Sequence, residues 1–93
     1  MVYNVNYFIK KFEAIPEEKW TTGAFEDECG CKCALGHCGY TESGLESQEG
    51  IELTRLLKHR AAAINDGGQP KYDQPTPKQR ILAALNDVKN ETF

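Results

Sequence analysis

Apolar residues recur at the 3.6-residue helical period in three stretches, with polar runs and turn residues between them. Val5, Phe8, Ile9 and Phe12 fall at i, i+3, i+4 and i+7 and predict a first helix. Asn4 is placed to cap it, since a short side-chain oxygen can accept from the free amides of the first turn. Pro16 ends that helix by disfavouring helical geometry at Ile15, and it opens a short second one, PEEKW. Trp20 then points toward the core, where its indole N–H needs an acceptor.

Leu53, Leu56, Leu57, Ala61 and Ile64 form a second stripe, read as the longest helix, with Glu52 and Arg55 as an ion pair on its flank. Asn65-Asp66-Gly67-Gly68 stops it, because glycine and asparagine favour the left-handed residue at a helix end. The third stripe is Ile81, Leu82, Leu85 and Val88, opened by the capping box Thr76-Pro77-Lys78-Gln79. Between them, TTGAFEDECGC reads as a loop anchored by Phe25, CALGHCGY as a short helix closed by Gly39, and TESGLESQEG and QPKYDQP as connections. No strand pattern exceeds two or three residues, and there is no internal repeat. The expectation is all-α: residues 1–93 as one domain, a bundle of three main helices plus one or two short ones.

Ninety-three residues suffice for one modest core. Fourteen acids against 11 bases give a net charge of −3, which argues against a nucleic-acid binder. The one basic run, Lys58-His59-Arg60, reads as a solvated helix end, and His59 as part of it. Acids gather at Glu26-Asp27-Glu28 and at Glu42, Glu46, Glu49 and Glu52. With no signal-peptide pattern and no apolar run of membrane length, the protein is expected in the cytoplasm with reduced thiols.

All four cysteines and one histidine fall within Cys29–Cys38, CGCKCALGHC. Zinc would draw on Cys29, Cys31, Cys33 and either His37 or Cys38. Against it, every ligand comes from one ten-residue stretch, and C-x-C-x-C lacks the usual knuckle spacing. A Cys33–His37 catalytic pair lacks a third group to orient the base. The favoured reading makes Cys33, Ala34, Leu35 and Cys38 core filling, Gly36 and Gly39 close-packing positions, and Cys29 and Cys31 loop thiols, with no resident cofactor.

The order Trp20, Gly23, Cys33-Ala34-Leu35-Gly36-His37, Asn65-Asp66-Gly67, Thr76 resembles a family of small uncharacterised proteins from bacteria and their phages, over residues 4–88. The resemblance implies a bacterial or phage cytosol and transfers no activity; Cys29 and Cys31 depart from its pattern.

Asn65, Asp66, Gly67 and Gly68 form a candidate contact loop, in which bared glycine amides would face an anion and Asp66 could instead cap loop amides. Lys71, Lys58 and Arg60 would add charge, and Tyr72 is either a surface contact, the favoured reading, or a lid over the core. Phosphate-loop, dinucleotide, metalloprotease, hydrolase-elbow and calcium-loop motifs are all missing from the sequence. The function expected is therefore a non-enzymatic interaction protein of phage accessory or counter-defence type, binding a host or phage macromolecule through a surface that includes residues 65–74. The alternatives are a binder of a nucleotide-like anion, across a homodimer interface in one version, and a zinc-stabilised module.

Overall fold

A computed structural model of the chain describes residues 3–41 and 47–93. Residues 42–46 of the polar connection, Glu42 and Glu46 among them, lie outside the described residues. The described chain is helical: α1 (Val5–Glu13), a 3-10 turn (Glu17–Lys19), α2 (Ala34–His37), α3 (Gln48–Leu56), α4 (Ala61–Asp66) and α5 (Pro77–Lys89). Among the described residues there is no strand, only isolated bridges that pin the loop at Lys32 to Trp20 and Glu26.

Local chemistry accounts for most of the boundaries. The Asn4 side chain accepts from the Tyr7 amide at 2.9 Å, and Thr76 Oγ1 from the Gln79 amide at 3.2 Å, with Pro77 in the first turn. Ser47 starts α3 by accepting from the Gly50 amide at 3.0 Å. Trp20 is buried, and its indole N–H reaches the Ile15 carbonyl at 3.4 Å. The helix α5 packs against α1, α4 and α2. Phe8, Phe12, Leu53, Leu57, Ile64, Ile81 and Leu85 are fully buried in one cluster. Each such side chain contributes about 1.5–3 kcal/mol of transfer free energy.

One element differs from expectation. The stripe Leu53–Ile64 is not one long helix but two, α3 and α4, and α5 is the longest. Lys58 (φ 51°) and His59 (φ 66°) are both left-handed and turn the chain between them. Of the stripe, Leu53, Leu57, Ala61 and Ile64 are buried and Leu56 is only half-buried. The break lets α4 lie on α5 and α2.

Candidate functional site

Apart from Thr76, which caps α5, the landmark residues of the sequence gather around one junction. Asn65 is fully buried; its Oδ1 accepts the Ala34 amide at 3.1 Å and its Nδ2 donates to the Thr21 carbonyl at 2.9 Å. Asp66 Oδ1 accepts from Asn65 Nδ2 (3.0 Å) and from the Gly23 amide (3.1 Å). Gly36 runs so close beneath the loop that an added Cβ would lie 1.9 Å from the Phe25 carbonyl oxygen. His37 packs edge-on to Trp20 with ring centroids 4.9 Å apart, and its Nε2 lies 3.1 Å from the Lys19 carbonyl. Burial lowers the His37 pKa below 6.5. The Arg80 guanidinium clamps the same end of α4, donating to the carbonyls of Ile64, Asn65 and Gln74. The pattern is thus a hydrogen-bonded hub that fastens the 21–33 loop and α2 to α4.

The sulfur-rich stretch is dispersed rather than gathered. Cys33 and Cys38 are buried with Ala34 and Leu35, Cys31 is half-buried and Cys29 exposed, all as free thiols. Cys33 caps α2, its sulfur accepting the Gly36 amide at 3.4 Å, and burial raises its pKa. Burial pushes Cys38 to about 12, with Glu49 adding to the effect. Glu49 also pairs with Lys11, tying α3 to α1. Cys29 and Cys31 flank a turn held by Asp27, whose carboxylate accepts both amides at 2.9 and 3.0 Å. Among the described residues no three of His, Cys, Asp and Glu group to hold a metal ion.

Several members of the predicted contact loop are engaged internally. Asn65 is interior, so it offers nothing to a partner. The Gly67 and Gly68 amides donate to Ile64 (3.3 Å) and Ala63 (2.8 Å), so they do not form an anion cradle. Lys71 pairs with Asp87 at 3.4 Å and donates to the Thr92 carbonyl at 2.7 Å. Tyr72 is not a surface contact: it is buried, and its hydroxyl donates to Asp87 at 2.8 Å. Burial, then that carboxylate, holds its pKa well above the usual tyrosine value. Polar side chains in an interior persist only when paired, and both of these are.

Lys58 and Arg60 remain exposed, and the structure adds Arg55 and His59 to them. The end of α3 is a Schellman turn: Lys58 N–H donates to Arg55 (3.1 Å) and His59 N–H to Thr54 (2.8 Å). The run 58–60 is the solvated helix end that its composition suggests, but Lys58 occupies the position where glycine is usual. Arg55 pairs loosely with Glu52 at 3.3 Å, its side chain 71% exposed. The sequence signal for this corner was slight: a gap in the apolar stripe from 58 to 60, filled by Lys58, His59 and Arg60.

No protein-family model matches the chain, and no curated protein or solved structure is significantly similar to it.

Proposed function

We propose that this chain is a small non-enzymatic interaction protein, built as a helical bundle, that docks an acidic face of another protein on the corner formed by Arg55, Lys58, His59 and Arg60. The observation that carries the reading is the pair of left-handed residues Lys58 and His59. Packing α4 on α5 requires a left-handed residue after α3, and glycine would supply it without steric penalty. Lysine there costs about 1–2 kcal/mol, and strain of this kind collects at functional positions. The turn places four exposed cationic or titratable side chains together on a chain of net charge −3. That overall charge favours a protein partner over a nucleic acid, whose long-range field would repel the molecule.

The internal use of Cys33 and His37 supports the non-enzymatic part, as does the role of the landmark residues in holding the hub together. The phage accessory or counter-defence setting rests on the landmark order alone.

A photo-crosslinking residue at position 60 tests the proposal, with the same group at exposed Lys10 on α1 as the control. The expected result is one acidic protein captured from host lysate at position 60 and not at 10. Its purified complex should weaken about ten-fold or more in R55E/R60E, as loss of close charge pairs does. Equal capture from both positions, or capture of nucleic acid, overturns it.

A further inference from the structure

Four α-helices end in the same two-bond turn, and the residues at the left-handed position divide into two kinds. Gly39 (φ 103°) closes α2 and Gly67 (φ 84°) closes α4. Lys58 (φ 51°) closes α3 and Glu91 (φ 61°) closes α5, where Glu91 N–H reaches Val88 at 3.2 Å and Thr92 N–H reaches Asp87 at 2.8 Å. The two charged residues share one hollow of about 270 Å³ whose other walls are Leu56, Val88 and Phe93. Lys58 Nζ lies 5.9 Å from the centre of the Phe93 ring, which itself stacks on buried Tyr72 with centroids 6.0 Å apart. Among the described residues Lys58 and Glu91 form no ion pair with each other. The hollow therefore presents a cation and an anion at its rim, an aromatic face and two aliphatic walls, and both charges are held on backbone that glycine would adopt more readily.

We propose that this hollow binds a free α-amino acid with an apolar side chain. Lys58 meets the carboxylate, Glu91 meets the ammonium group, and Leu56, Val88 and Phe93 cover the side chain. The hollow lies just below the roughly 300–1,000 Å³ of pockets for drug-sized ligands, which suits a ligand of this size. Opposite charges on one small molecule match opposite charges at the rim, whereas an anion alone would face Glu91 and an amine alone would face Lys58. The hollow shares Lys58 with the docking corner, but Glu91, Val88 and Phe93 take no part in that corner, so shifts at Glu91 and Phe93 report on the hollow alone.

The test is a titration of the ¹⁵N-labelled chain with L-leucine, 4-methylpentanoate and 3-methylbutylamine, followed by amide shifts. These ligands share a branched apolar body and carry both charges, only the carboxylate and only the ammonium. Leucine is expected to shift Lys58, Glu91 and Phe93 and to bind about ten-fold tighter than either analogue, the effect of one charge-assisted contact. E91Q, an exposed substitution that leaves the core alone, should remove the advantage of leucine over 4-methylpentanoate, because leucine loses its ammonium contact and the lone carboxylate is no longer repelled. Equal affinity for all three ligands overturns the proposal, as does the absence of any shift at those residues up to about 10 mM, far above a millimolar Kd. A leucine preference that survives E91Q does so too.

Discussion

The ends of α3 and α4 close with the same pair of backward hydrogen bonds, yet one carries Lys58 and the other Gly67 at the left-handed position. Around Gly67 the neighbouring polar groups bond within the chain: Asn65 is fully buried, exposed Asp66 holds the Gly23 amide, and Arg80 covers the carbonyls. Around Lys58 the neighbouring cations are exposed. The first end has the residue that minimises backbone strain and works as a structural clasp. The second accepts strain and presents side chains. The same backbone motif thus serves the interior in one place and the surface in the other, and the residue at its left-handed position tells them apart.

The clasp is where the largest effect is expected. Asn65→Ala removes an acceptor from the Ala34 amide and a donor from the Thr21 carbonyl, groups 31 and 44 residues away along the chain. Leaving buried partners unsatisfied costs about 1–3 kcal/mol each, so a loss near 3 kcal/mol is expected in urea unfolding. A loss below about 1 kcal/mol, the net worth of one ordinary bond, would show that the hub does not hold the loop and the comparison would lose its first half.

Exchanging the two left-handed residues sharpens the contrast. Gly67→Lys should destabilise by about 1–2 kcal/mol, because an added Cβ meets only the Arg80 guanidinium at an ordinary 3.6 Å and the penalty is mainly backbone conformation. Lys58→Gly should do the opposite and raise stability by roughly 0.5–1 kcal/mol, the relief of strain less the extra freedom glycine gives the unfolded chain. The checking measurement is a matched pair of urea melts. If Lys58→Gly destabilises the protein, the lysine is there for packing, and its functional reading fails.

The same contrast explains what could be read along the chain. Ends marked by glycine or by a proline-containing capping box were legible, because a few adjacent residues carry the signal: Gly39, Gly67, and Thr76 with Pro77. The end at Lys58 was hidden because the stripe Leu53, Leu56, Leu57, Ala61, Ile64 keeps helical spacing across it, although the run Lys58-His59-Arg60 marked it as solvated. Asn65 and Tyr72 looked like surface residues because their partners are distant in sequence. Ala34 and Thr21 satisfy one, and Asp87 satisfies the other. Periodicity reports that a position is buried, whereas pairing of a buried polar group depends on tertiary contacts that no local window contains.

The mildest expected effect lies within the clasp, at His37. Its folded pKa is lowered, first by burial and then by the nearby charges of Lys32 and Lys11, while the Lys19 carbonyl works the other way. Above the ordinary value of 6.5 the ring is neutral in both states, so the folded protein has its full stability there. As pH falls below 6.5 the unfolded chain takes up the proton first, and stability declines until the folded ring also protonates. His37→Gln removes that slope while keeping a polar group near the Lys19 carbonyl. Paired urea melts from about pH 7.5 to about pH 5 span the window in which histidine titrates. The wild type should lose more stability across it than the variant. Parallel curves would mean that the ring protonates in the folded state as easily as in water. The Trp20–His37 contact would then not be the dry junction that the clasp requires.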